Sequence, residues 1–165
     1  MSAIARKSLD TRNSLLRPIV IGGTFIFIGQ FIYTWIVPIL IQKTPFMVAW
    51  QYIASGALGM SAFEGGAATA LLGMFFHLVI SFVVAAVFIL AADRIPLLRR
   101  YAIPFSLLYG FGVFIVMNMI VTPLSATPPV PAPTLPWLIV GIIEHTLVVG
   151  LPLGILVRRN INSKI

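Results

Sequence analysis

The chain has no cysteine, only four acidic residues among 165, and 9% charged residues in all. Without cysteine it forms no disulfide, holds no iron–sulfur cluster and offers no thiolate to a metal. Ordinary soluble domains carry roughly 25% charged residues. With so few here, no polar surface exists behind which 59% hydrophobic residues could be hidden. The chain therefore belongs to the membrane class, as one domain at this length. A net charge of +7 has the sign that nucleic acid requires, but not the placement. Its Lys and Arg sit in short flanks between apolar runs, a pattern suited to anionic lipid head groups, so no nucleic-acid partner is expected.

The longest apolar run, Ala67 to Ala92, has twenty-six residues and no formal charge. As a helix it is about 39 Å long, more than the ~30 Å hydrocarbon core of a bilayer. Three further runs are long enough to span, and the four predicted crossings are 18–41, 67–92, 101–122 and 137–157. Between the first two, residues 45–63 form a shorter amphipathic stretch. There Phe46, Met47, Trp50, Ile53, Ala54, Ala57 and Leu58 recur at three- and four-residue spacing, with Gln51, Ser55 and Gly59 between them. It is expected at the interface or folded as a lid across the bundle. Residues 123–136 carry six prolines and no charge, and read as an extended, stiff external loop. The predicted fold is all-α: four transmembrane helices plus one interfacial amphipathic helix.

Small residues mark the expected helix contacts: Gly22, Gly23 and Gly29 in the first span, Gly73 in the second, and Ser106, Gly110 and Gly112 in the third. Gly150 and Gly154 flank Pro152 in the fourth, where a kink is expected, as at Pro38 in the first. Orientation follows from basic residues. The amino tail has Arg6, Lys7, Arg12 and Arg17, the second connection Arg94, Arg99 and Arg100, and the carboxyl tail Arg158, Arg159 and Lys164. The other two connections share Lys43 alone. This sorting puts both termini in the cytoplasm. A basic start before an apolar run resembles a signal peptide. However, 18–41 is too long for one and no small-residue cleavage site follows, so a retained tail is expected.

Five polar residues fall within the spans: Gln30, His77, Asn118, Glu144 and His145. Helical rise places His77 about 15 Å, Glu144 and His145 about 11–12 Å, and Asn118 about 6 Å below the outer ends of their helices. Such groups rarely face lipid, so all five are expected to point into the bundle as a polar cluster. Neutral His, Asn and Gln serve as interhelical hydrogen-bonding groups, each contributing on the order of 0.6 kcal/mol. A cofactor is the alternative, with His77 and His145 as axial ligands of haem b, with Glu144 added as a metal site, or with the same groups binding quinone. No nucleophile elbow, phosphate loop, HExxH or carboxylate pair occurs, so no catalytic residue is assigned.

The runs IASGALGMSAFEGGAATALLGMFFH, YGFGVFIVMNMIVTPLSA and EHTLVVGLPLGILVRR together resemble small uncharacterised bacterial inner-membrane proteins of the YagU-like type. The likeness covers residues 18–159. It implies four helices in a bacterial inner membrane and carries no activity with it. The functional reading is a small accessory or scaffolding subunit, packing against lipid or larger membrane subunits. The phenylalanines of the first two spans (Phe25, Phe27, Phe31, Phe75, Phe76, Phe82, Phe88) would be its outward face. The alternative is a haem-, metal- or quinone-binding redox protein using His77 and His145.

Overall fold

The computed structural model describes residues 3–129 and 133–162, with side chains from 15 to 129 and from 133 to 159. Pro131, Lys164 and the side chains of Arg6, Lys7, Asp10 and Arg12 lie outside these residues. Among those described there is no strand. Helix α1 (Ala3–Thr34) continues into a π-helical stretch, Trp35–Ile41. Next come α2 (Phe46–Leu58), a 3₁₀ turn (Gly59–Phe63), α3 (Gly66–Arg94) and a short α4 (Pro96–Arg100). Helix α5 (Ala102–Val116) passes through a second π-helical stretch, Met117–Val121, into α6 (Thr122–Leu124). The last span is α7 (Leu135–Glu144), a third π-helical stretch (His145–Gly150) and α8 (Leu151–Asn162). Four stretches are long and apolar enough to cross a membrane: Leu15–Ile41, Gly66–Arg94, Ala102–Leu124 and Leu135–Arg159.

Helical structure is what hydrocarbon demands, since every backbone N–H and C=O must find its partner within the chain. The spans then pack where side chains are small. A Cβ on Gly150 would collide with the Ser106 carbonyl. One on Gly110 would press on the carbonyl of His145 and on the Gly150 nitrogen, 2.9 Å away. Helix α5 and the last span therefore touch backbone to backbone. Gly154 completes this seam against the Ser106 hydroxyl, whereas Gly112, expected to share it, faces open space. Helix α1 lies between α3 and the last span, with Gly23 against the Phe82 ring and Gly29 against Val148. Ile26, Ala85, Phe88, Ala92, Ala102, Val149, Leu153 and Val157 fill the half of the bundle nearer the arginines, called the basic end below. By contrast α3 and α5 touch little, and the Tyr109 hydroxyl bridges them by donating to the Val84 carbonyl at 2.9 Å.

Each π-helical stretch is tied to a proline: Pro38 lies inside the first, and Pro123 and Pro152 stand two residues past the other two. A proline donates no backbone N–H, and its ring pushes against the carbonyl four residues back. Those carbonyls belong to Thr34, Met119 and Val148, at the edge of or within the widened turns. The bends expected at Pro38 and Pro152 thus occur as widened turns. The proline-rich loop is also shorter than its composition implies. Pro123 lies inside the continuous helix of the third span, and Pro136 sits in the first turn of α7, where no amide hydrogen bond is lost. Nor do the phenylalanines form an outward face: Phe88 is buried and Phe82 packs on Gly23, while Phe25 and Phe75 are 58% and 57% exposed.

Two glycines of α5 separate packing from propensity. Gly150→Leu and Gly110→Leu are expected to lower stability by about 1–3 kcal/mol through overpacking of the seam. Gly112→Ala is expected to be neutral or stabilising by up to about 1 kcal/mol. Thermal unfolding in detergent, followed by circular dichroism, distinguishes the seam glycines Gly110 and Gly150 from Gly112.

Candidate functional site

The site begins with α2, which buries two polar and two apolar residues on its protein side and exposes an apolar outer side. Trp50, Gln51, Ala54 and Ser55 are buried, while Phe46, Met47, Val48 and Leu58 are exposed. Gln51 and Ser55, which lie between the apolar positions of this stretch, are thus buried together with Trp50 and Ala54. Gln51 Nε2 donates to the Gly66 carbonyl at 3.0 Å and to Thr69 Oγ1 at 3.2 Å, and so fastens α2 to the first turn of α3. Gly73 lets the two backbones meet, for a Cβ there would overlap the Trp50 carbonyl. From the other side the proline-rich loop clamps α2, with the Ala126 N–H donating to the Gly56 carbonyl at 3.0 Å.

Held in this way, the Trp50 indole reaches the imidazole of His77. The two rings meet edge to face at 5.8 Å, Phe27 approaches His77 at 5.8 Å, and Phe31 stacks on Trp50 at 5.2 Å. Two polar atoms are enclosed in this aromatic shell without hydrogen-bond partners, Trp50 Nε1 and His77 Nε2. The indole nitrogen only donates, whereas the imidazole nitrogen donates or accepts according to its tautomer. Ser81 Oγ donates to the His77 carbonyl at 2.8 Å, on the backbone side of the same turn.

Glu144 and His145 stand at the junction of α7 and the third π-helical stretch. His145 Nδ1 faces the Gly141 carbonyl at 3.0 Å, and its ring meets Phe114 edge to face at 5.3 Å. Glu144 Oε2 comes within 2.5 Å of the same Nδ1. That is an ion-pair distance, but it lacks hydrogen-bond geometry, and both carboxylate oxygens are buried without a hydrogen-bond partner. We take the contact as charge proximity only, since adjacent helical residues do not face one another. Gln30 is buried on α1, one turn from Phe27 and Tyr33.

Of the five expected residues, four point inward. Asn118 is the exception: its side chain is exposed and Nδ2 donates back to the Phe114 carbonyl of its own helix at 2.9 Å. Its position in the second π-helical stretch rotates it away from the bundle. The metal alternative is not assembled either, because among the described residues no three His, Asp or Glu side chains converge as a ligand set. Trp50 and Gln51 were missed as site residues. Their signal was present in the three- and four-residue pattern of α2, but which face is buried depends on what α2 packs against.

These features define a class: a multi-pass α-helical membrane protein of four apolar spans with polar side chains buried in its interior. Comparison with family models, curated proteins and solved structures gives no match, so no closer relationship is stated.

The packing of α2 is open to a direct check. In a variant with Trp50 as the sole tryptophan (Trp35→Phe, Trp137→Phe), Gly73→Val is expected to lift α2 from α3. Trp50 emission would shift to the red and become accessible to a membrane-impermeant quencher. Unchanged emission would show that α2 is held without this contact.

Proposed function

We propose that the protein is a small inner-membrane protein, both termini cytoplasmic, whose interior binds a quinone-type molecule between α1, α2, α3 and the last span. The observation that carries this is the set of four buried polar atoms without a hydrogen-bond partner: Trp50 Nε1, His77 Nε2 and the two oxygens of Glu144, of which Oε2 has the His145 ring beside it. Each such atom costs about 1–3 kcal/mol while unpaired, so a set of this size favours a molecule that satisfies it. A quinone ring presents two carbonyl oxygens that accept from N–H donors, and its reduced form presents hydroxyls that donate to a carboxylate. Trp50 and His77 supply the donors, Glu144 the acceptor, and the rings of Phe27 and Phe31 the flat apolar walls. Such a molecule would supply redox chemistry when bound; the chain's own part is to orient it, exclude water and hold a proton at Glu144 Oε. Haem is supported less well, because the His145 ring packs edge to face against Phe114 at 5.3 Å.

A role as an accessory subunit is the second reading. What supports it is the exposure of Phe25 and Phe75 on adjacent spans, and it requires co-purification with a larger membrane partner.

The test uses the single-tryptophan protein in detergent, titrated with a short-chain benzoquinone. Saturable quenching of Trp50 is expected, weakened about tenfold in His77→Leu and in Glu144→Leu. Linear, non-saturating quenching, or an affinity in both variants equal to that of the unaltered protein, would overturn the quinone reading.

A further inference from the structure

At the basic end, well away from the His77 cluster, α3 and α5 diverge and leave an apolar cleft of about 220 Å³. Val87 and Ala91 line one wall, Phe105 and Leu108 the other, Leu98 of α4 closes the end, and Phe88 and Tyr109 form the floor. Val87 and Leu108 are 52% and 61% exposed, so the cleft opens to its side and admits a chain from the lipid phase. Its floor is fixed, because the Phe88 and Tyr109 rings pack at 5.1 Å and the Tyr109 hydroxyl is tied to the Val84 carbonyl.

Both walls end in the same chemistry. On α3 the face of Val87 and Ala91 continues, at helical spacing, to Arg94. On α5 the face of Leu108 and Phe105 continues to Tyr101, whose ring carries the Arg100 guanidinium at 5.4 Å. Arg99, between them in sequence, is occupied: it donates to the Ala92 and Asp93 carbonyls and pairs with the Asp93 carboxylate at 3.5 Å. Arg94 and Arg100 have no ion-pair partner among the described residues, and both are exposed. Two exposed arginines without an ion-pair partner thus flank, along the chain, the residues that line a slot sized for one hydrocarbon chain.

We propose that this cleft is a binding site for one anionic phospholipid, with an acyl chain between α3 and α5 and its phosphate between Arg94 and Arg100. The charge at the mouth selects the head group, and the apolar slot selects against a soluble phosphate. A basic residue near a membrane surface strengthens anionic-lipid binding by about fivefold, so the pair confers a preference on the order of 25-fold over a zwitterionic lipid.

The full chain in mild detergent would be titrated with phosphatidylglycerol, with phosphatidylcholine of the same acyl chains, and with inorganic phosphate. Native mass spectrometry and thermal unfolding would be read together. One retained phosphatidylglycerol per chain is expected, with a rise in melting temperature that phosphatidylcholine reproduces only at about 25-fold higher concentration and phosphate not at all. Arg94→Gln with Arg100→Gln is expected to remove the preference, while Arg158→Gln on α8 leaves it intact. Ala91→Phe, filling the slot, is expected to weaken both lipids alike. Equal binding of the two lipids by the unaltered chain would overturn the proposal. So would a preference that survives in the double arginine variant, or a phosphate effect matching that of the lipid.

Discussion

Helices immersed in hydrocarbon gain nothing by hiding apolar side chains from lipid, so this bundle is held where its backbones touch. The decisive contacts are few. Gly110 and Gly150 bring α5 and the last span together over Ser106, and Gly73 brings α3 against the Trp50 carbonyl of α2. At each point a methyl group would force the helices apart, and the dispersion contacts around it would weaken with the added separation. Helix α1 joins the two halves through Gly23 and Gly29. Where small residues are lacking, between α3 and α5, the helices diverge and a single tyrosine hydroxyl bridges them.

This packing also explains where the polar groups lie. Gln51, Thr69 and Ser55 satisfy one another or nearby carbonyls, and together they seat α2 with Gln51 and Ser55 toward the protein. Met47 and Leu58 stay exposed on this helix while the Gln51 amide is buried and hydrogen-bonded, and burying that amide without such partners would be costly. Once α2 is seated, Trp50 falls beside His77, and its indole N–H is carried into a place with no acceptor. The widened turn at His145–Gly150, forced by Pro152, displaces the helix register just after Glu144. π-helical turns of this kind often accompany functional sites, because they redirect side chains at little cost in hydrogen bonds.

Much of the fold was legible because apolar length and small-residue spacing act locally. The four spans, the connections and the seam at Gly150 and Gly154 could all be read from runs of one residue class. Inward placement of Gln30, His77, Glu144 and His145 followed from the cost of polar groups in lipid. Asn118 failed the same rule, because an amide can satisfy itself on its own helix by bonding the carbonyl four residues back. The outward phenylalanine face failed for a related reason. Rings at helical spacing fill grooves beside glycines as readily as they face lipid, and Gly23 drew Phe82 inward.

The sequence by itself determined that this chain carries four helices long and apolar enough to cross a bilayer, since in such apolar runs the backbone groups must be satisfied within the chain. It also determined which residues are small enough to be crossing points. Only the tertiary structure decided that α2 turns Gln51 and Ser55 inward, that Trp50 rather than Asn118 completes the interior cluster, and that α3 and α5 part at the basic end. Those outcomes depend on which helix meets which, and a contact between residues as distant as Gly73 and Trp50 leaves no periodic trace in either segment.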